Sequence, residues 1–269
     1  MQGPRLELPP TSFPIRQILV QGADASTAAA RNRAAEAARG ELFVFLDADC
    51  APHPALIDQY ASSARLSALL QGKVATEGSC AGLSKGAVVG SENAAIKAAA
   101  TVPDNQGMKF SPANFAIGAR DFAAIGGFDE NFCGPGGEEI DFARAAREAG
   151  LSRLSVPGAI AFRDRSRDTA PPVDQVDAVL RNTRLLTRKW KEPANEEWLQ
   201  TFAFLGLIER TQDGWRKLRE PNLRDLDICA LIPEPPETDP SEVRPAFPGL
   251  VHGQHGAELA ATRVLHKAN

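Results

Sequence analysis

The sequence predicts an α/β fold, in which a mostly parallel sheet is flanked by helices. Strand-like and helical patterns alternate over roughly residues 15–165. The run LFVFL at 42–46 is apolar at every position, which is typical of a strand covered on both faces. Glycines and prolines separate the segments, where they end strands and helices. Together these observations favour one α/β domain followed by smaller parts.

The elements follow from local chemistry. Residues 15–22 form a predicted strand, and an alanine-rich helix follows, with Ser26 or Thr27 as its N-terminal cap and Gly40 as a left-handed C-terminal cap. Two prolines stop the 42–46 strand. The further predicted elements are a helix from about residue 56, a strand at 72–76, a helix near 92–100, a strand at 113–118, a short helix after it and a helix at 136–150.

Three parts are predicted along the chain. Residues 1–170 form the α/β domain, and residues 171–231 form a C-terminal helical extension with two amphipathic helices that pair. Residues 232–269 are a proline-rich linker and a short terminal helix.

The composition excludes several classes of protein. A net charge of −4 gives no general attraction to nucleic acid, so we expect no nucleic-acid partner. The four cysteines are scattered without zinc-site spacing, which argues against a disulfide framework. There is no signal-peptide core and no stretch of transmembrane length. We therefore expect a cytoplasmic protein, at most in peripheral contact with a membrane.

Asp47 and Asp49 stand directly after the 42–46 strand, and they allow two interpretations. Aspartate is common in turns, because its short side chain hydrogen-bonds the local backbone. In open α/β sheets, however, ligands bind outside the carboxyl ends of the strands. The same two carboxylates therefore also suit a metal and phosphate site.

Four segments together resemble the family-two glycosyltransferases with the GT-A fold. They are ARNRAAEAARGELFVFLDADCAPHP, SPANFAIGARDFAAIGGFDENF, GPGGEEIDFARAAREAG and SVPGAIAFR. The resemblance lies in an Ala-Arg-Asn helix before an Asp-x-Asp strand end, a downstream Gly-Gly-Phe-Asp-Glu, and a helix that begins with paired acids. It covers roughly residues 15–165. A single Asp-x-Asp is a weak signal, whereas the four segments in this order are a strong one.

The resemblance implies a donor site for a nucleotide sugar, most simply a uridine diphosphate sugar. Asp49 would bind a divalent cation, Mn²⁺ or Mg²⁺, and Asp47 would face the ribose or the sugar and share in the metal site. Arg31 and Asn32 correspond to the pair that meets the donor nucleotide. A cation held by hard oxygen ligands neutralises the charge that grows on the leaving diphosphate.

The resemblance also implies a general base and an acceptor. The attacking hydroxyl must lose its proton, and in the family the second of two adjacent acids accepts it, with inversion at the sugar. Here the acids are Glu138 and Glu139, so Glu139 would be the base and Glu138 would bind the acceptor. The acceptor would be a hydroxyl of a glycan, a lipid or a small molecule.

Two features depart from the family pattern. The family opens with a strand and loop that grip the base and ribose, and nothing before Ile15 resembles them, so we expect a late start, a fragment or a truncated homologue. Many members also have a metal-binding histidine where this chain has Arg163. Arginine cannot ligate a metal, but it can hold a pyrophosphate as a fixed cation, which would reduce the dependence on metal.

Three functions remain open from the sequence. The first is an inverting glycosyltransferase, supported by the four carboxylates. The second is a catalytically impaired glycosyltransferase-like binding module, favoured by the missing start and by Arg163. The third is a nucleotidyltransferase of similar fold, which would be expected to show a glycine-rich phosphate loop near its start; none is visible.

Overall fold

The computed structural model describes residues 7–8, 10–20, 26–64, 67–76, 102–103, 110–163 and 171–230. All of them lie in the first of the two units into which the chain divides, Met1–Ile232. The helix predicted near 92–100 and the segment predicted at 232–269 lie outside the described residues. Within the described ranges, no helix is both long and apolar enough to cross a membrane.

Helix α1 (Thr27–Ala37) and strand β1 (Leu42–Leu46) form where the sequence predicts them. Ser26 caps α1, because its hydroxyl oxygen accepts the Ala29 N–H at 3.1 Å. The C-terminal cap is Ala38 in an extended conformation, so the prediction of a left-handed cap at Gly40 is wrong. The short connection returns the chain from α1 directly into β1.

The strand predicted at 15–22 is not found in its described part. Residues 14–20 have no regular secondary structure, and Ile15, Ile18 and Leu19 are exposed. An apolar segment becomes a strand only beside a partner edge, because its backbone hydrogen bonds run between strands. No described strand pairs with this segment. The apolar pattern at 15–22 alone therefore predicted a strand that its described residues do not form.

The central sheet contains five further described strands, which are β2 (Cys50–Pro52), β3 (Ala68–Thr76), β4 (Val102–Pro103), β5 (Asn114–Gly118) and β6 (Ser152–Arg163). With β1, they lie in the order β1-β5-β3-β6-β2, and β4 lies beside β6. Of the five pairings among them, only that of β3 with β6 is parallel. The α/β class holds, but the prediction of a mostly parallel sheet is wrong, because an apolar run indicates burial on two faces and not the direction of the neighbours.

Three further helices flank this sheet, namely α2 (Leu56–Ser63), α3 (Ala119–Ile125) and α4 (Glu138–Glu148). Gly126 closes α3 in the left-handed conformation, as the sequence predicts. The core on the side of α1, α3 and α4 is rich in phenylalanine. Phe128 stacks on Phe142 with their ring centroids 4.1 Å apart, and Phe45 stacks on Phe115 at 4.6 Å. This core packs β1 and the loop after α3 against α4.

The C-terminal extension contains more than the two predicted helices. The second predicted helical pattern runs through Arg210, but its helix ends at Phe204, and Gly206 then adopts a φ of +68°. The chain continues as a hairpin that the sequence pattern missed. The elements are α5 (Val176–Trp190), α6 (Glu196–Phe204), β7 (Ile208–Thr211), β8 (Gly214–Lys217) and α7 (Leu223–Ala230).

Asp225 forms a capping box at the start of α7. Its Oδ2 accepts the Asn222 N–H at 2.8 Å, and Asn222 Oδ1 accepts the Asp225 N–H at 3.3 Å. Arg219 donates to both Asp225 oxygens, at 2.6 and 2.9 Å. The Arg219 guanidinium and the Asn222 N–H outweigh burial and lower the pKa of Asp225 to about 2.

We expect Asp225→Asn to lower the free energy of unfolding by about 1 kcal/mol at neutral pH. The folded-state pKa lies below that of an unfolded aspartate, about 3.9. The charged interaction therefore stabilises the fold above about pH 4 and is lost as the pH falls toward 2. Melting temperatures at pH 7 and pH 3 measure this: the gap between wild type and variant should narrow in acid. Asp227→Asn on the same helix is the control, and an equal gap at both pH values would contradict the assignment.

Candidate active site

The segment from Asp47 to Cys50 is a backbone turn that links β1 to β2. The Asp47 N–H donates to the Ala113 carbonyl at 3.0 Å, and the Cys50 N–H donates back to the Asp47 carbonyl at 3.0 Å. The turn interpretation of the two aspartates is therefore correct for the main chain. It leaves both carboxylates free for other partners.

Arg31 occupies the centre of the site. Its Nη2 donates to Asp47 Oδ1 at 2.7 Å, and its Nη1 donates to Glu138 Oε1. The Arg31 side chain is 9% exposed, and its guanidinium lies 5.3 Å from the centroid of the Phe128 ring. One buried cation thus joins the end of β1 to the first residue of α4. These segments are 91 residues apart in the sequence (138 − 47).

A second ion pair lies at the same turn. Arg163 Nε donates to Asp49 Oδ2 at 2.7 Å. Sheet register explains the contact, because Cys50 is paired with Arg163 across β2 and β6. The Asp49 side chain is 48% exposed and that of Arg163 is 24% exposed. The arginine that replaces the expected histidine therefore does reach the Asp-x-Asp segment, as a cation and not as a metal ligand.

Glu138 and Glu139 begin α4, where acidic side chains favourably meet the helix dipole. Burial raises the pKa of Glu138, and the charges of Glu139 and Asp47 act in the same direction, whereas Arg31 opposes them. Glu139 Oε2 accepts the Gly137 N–H at 3.2 Å. Glu138 thus shares Arg31 with the predicted donor carboxylate Asp47, and Glu139 is the next residue of α4.

Asn32 contacts the loop after α3. Its Oδ1 accepts the Phe128 N–H at 2.9 Å, and its Nδ2 donates to the Phe128 carbonyl at 2.8 Å and to Glu130 Oε1 at 2.9 Å. Both ends of the amide are therefore engaged with the loop. Its predicted contact with the donor nucleotide stays a prediction, but the contacts made here hold the loop against α1.

Asn182, on α5, is a supporting residue that the sequence interpretation missed. Its Nδ2 lies within 3.0–3.2 Å of three successive carbonyl oxygens, from residues 133, 134 and 135. These residues lead directly into α4. The only signal in the sequence was an asparagine on the buried face of an amphipathic helix, and that pattern does not indicate which loop it contacts.

Asp141 is the third acid in the first turn of α4, and it contacts α5. It is 2% exposed, and its carboxylate accepts from Lys189 Nζ and Trp190 Nε1, both at 2.9 Å. Asp141 therefore ties α4 to the helical extension.

Both carboxylates that are predicted to bind a metal ion take part in ion pairs in this structure. Carboxylate oxygens suit Mn²⁺ or Mg²⁺, but Asp47 and Asp49 are each paired with an arginine. Within the part of the chain that the structure describes, no group of three or more His, Cys, Asp and Glu side chains could hold a metal. The predicted role of Asp49 and Asp47 as metal ligands therefore stays a prediction.

Comparison with known proteins supports the resemblance. Residues 13–65 match the model of glycosyl transferase family 2, which confirms the family resemblance that the motifs predict. The matched residues include α1, β1 and the Asp47–Cys50 turn, but they end before α4 begins. No curated protein matches the chain. The match supports an α/β fold of the GT-A kind and glycosyltransferase activity in general.

Proposed function

We propose that this chain transfers a sugar from a nucleotide diphosphate donor, a uridine diphosphate sugar, to a hydroxyl acceptor with inversion. The observation that carries the proposal is the Arg31 bridge, because it gathers a donor-type carboxylate and the acidic start of α4 into one site. The match to the family model covers residues 13–65 and ends before Glu138. The Arg31 bridge supports the same proposal for Glu138, and Glu139 follows it in α4.

In the proposed reaction, Glu139 accepts the proton of the acceptor hydroxyl as its oxygen attacks the anomeric carbon. The bond from that carbon to the diphosphate oxygen breaks, and the nucleoside diphosphate leaves with the electron pair. Glu138 orients the acceptor, and Asp47 accepts a hydrogen bond from a ribose or sugar hydroxyl. Arg163 offers a fixed cation to the diphosphate, where negative charge grows. A glycan, lipid or small-molecule hydroxyl is the acceptor.

A divalent cation, Mn²⁺ or Mg²⁺, remains part of the prediction, with reduced importance. Because Arg163 already pairs with Asp49, we expect chelation with EDTA to weaken UDP binding less than about tenfold, which corresponds to 1.4 kcal/mol. Isothermal titration calorimetry with UDP, in EDTA and in Mn²⁺, measures the difference. Complete loss of binding in EDTA would instead assign the diphosphate to a metal on Asp49.

A catalytically impaired binding module is the second candidate, and the Asp49–Arg163 pair is the observation that favours it. The two candidates differ in turnover. UDP release from UDP-glucose, UDP-galactose and UDP-N-acetylglucosamine, with water, oligosaccharide or lipid alcohols as acceptors, separates them. Turnover that follows enzyme concentration supports the transferase. UDP binding without any turnover supports the module and overturns the proposed transfer.

A further inference from the structure

Arg31 is predicted from the family resemblance to contact the donor nucleotide, but both of its Nη groups donate to protein carboxylates. Its guanidinium is buried among protein groups and divides its donors between two carboxylates, one on the Asp47–Cys50 turn and one on α4. The planar guanidinium has a fixed fork of donors, so a shift of one partner changes the geometry offered to the other. Arg31 therefore links the Asp47–Cys50 turn to α4, so that a displacement of one affects the position of the other.

We propose that Arg31 is a positioning residue that couples occupancy of the donor turn to the order of the start of α4, where the general base stands. This inference rests on the proposed function, because it takes the turn to be the donor site. Arg31 contacts Glu138 and Asp47, and Glu139 is the residue that follows Glu138 in the helix.

The helix explains why holding Glu138 also positions Glu139. Successive residues of an α-helix point about 100° apart, at 3.6 residues per turn. When Arg31 fixes Glu138 on the inner side of α4, Glu139 is directed to a different side, where its Oε2 accepts the Gly137 N–H at 3.2 Å. The orientation of the base therefore depends on that of Glu138 through the helix.

Asn32, the residue after Arg31, holds α1 in place against the core. Asn32 exchanges two hydrogen bonds with the backbone of Phe128, whose ring stacks on Phe142 in α4. The Phe128 ring also lies beneath the Arg31 guanidinium. The first turns of α1 are thus held on the same core as α4. A change at the donor turn reaches α4 through a short, packed path.

Hydrogen–deuterium exchange of the peptide covering residues 134–142, with and without saturating UDP, tests the coupling. In the wild type we expect UDP to slow exchange in this peptide by at least about fivefold. In Arg31→Lys, which keeps the charge but loses the two-pronged donor geometry, UDP should still bind and the slowing should be lost. Arg33→Lys is the matched control, since Arg33 is an exposed residue of the same helix paired with Glu36. It should behave as the wild type.

Glu138→Gln removes the charge of the α4 carboxylate that pairs with Arg31, and so tests the same coupling. This variant replaces Arg31→Lys in the experiment if Arg31→Lys fails to fold. It should retain UDP binding and lose the slowing of exchange. Slowing that persists in these variants would overturn the proposal, because Arg31 would then be only a structural ion pair. Loss of UDP binding in Arg31→Lys would also overturn it, by making Arg31 a donor ligand.

Calorimetry with UDP on the same samples separates this inference from the function on which it rests. Wild-type protein that binds no UDP overturns both. Wild-type protein that binds UDP without slower exchange at 134–142 overturns the coupling and leaves the proposed donor site standing. Slowing that depends on Arg31, with UDP affinity retained, supports both.

Discussion

Replacing Glu139 by glutamine is expected to lower the rate of UDP release from a UDP-sugar by about 10²–10⁴-fold, the usual contribution of a general base. Glutamine keeps the size of the side chain and a hydrogen-bond acceptor for the Gly137 N–H, but it cannot accept the acceptor's proton. UDP affinity should stay within about twofold of the wild type, because Glu139 is assigned to the acceptor side of the site. The loss should therefore appear in kcat and not in donor binding.

The matched control is Glu148→Gln, at the other end of the same helix, where the side chain is 65% exposed. It makes the same change of charge on α4 and should leave turnover unchanged. A Glu139→Gln protein that releases UDP at the wild-type rate would remove Glu139 from the mechanism. A common loss in both variants would point to the charge of the helix and not to a base.

Gly72→Ala is expected to lower the free energy of unfolding by about 3–5 kcal/mol, because it overfills a closed space and disturbs buried hydrogen bonds. A Cβ at this position would lie 2.2 Å from the Tyr60 hydroxyl oxygen, 2.4 Å from Asn114 Nδ2 and 2.5 Å from the Ala159 carbonyl oxygen. The Tyr60 hydroxyl donates to Asn114 Oδ1 at 2.8 Å, and Asn114 Nδ2 donates to Ala159 O at 2.8 Å. Each of these atoms takes part in a buried hydrogen bond that the added Cβ would disturb.

Thermal unfolding measures this change, and we expect the melting temperature to fall by about 6–20 °C for a protein of this size. Gly40→Ala is the control, since its Cβ would meet only ordinary contacts, the nearest at 3.5 Å. That variant should stay within about 0.5 kcal/mol of the wild type. Equal melting temperatures for the two variants would contradict the packing described around Asn114, the residue that begins β5 and pairs with Leu46 beside the donor turn.

The sequence was most informative where chemistry is local. The apolar run at 42–46 is strand β1, Ser26 caps α1, and Gly126 closes α3. Each depends on side chains within a few residues of one another. The order of the four motif segments also pointed to carboxylates that the structure brings close together, at Asp47 and Glu138.

Features that depend on distant partners were not predictable in the same way. The residue pattern of one strand does not determine whether its neighbours run parallel or antiparallel. The prediction of a mostly parallel sheet was therefore wrong. The segment at 15–20 carries a strand pattern but has no described partner strand. The Asp49–Arg163 pair depends on the register between β2 and β6, which no single segment encodes.

The proposed nucleoside diphosphate site consists of the Asp47–Cys50 turn and Arg163. Calorimetry with UDP and with uridine, on wild type, Arg163→Gln and Arg120→Gln, tests it most directly; Arg120 is an exposed arginine of α3, and its loss changes the net charge equally. We predict that wild type and Arg120→Gln bind UDP at least about tenfold more tightly than uridine. Arg163→Gln should lose this preference, because a hydrogen bond to a charged group contributes about 1.5–3 kcal/mol. Equal affinity of the wild type for UDP and uridine, or an equal loss in both variants, would contradict the claim.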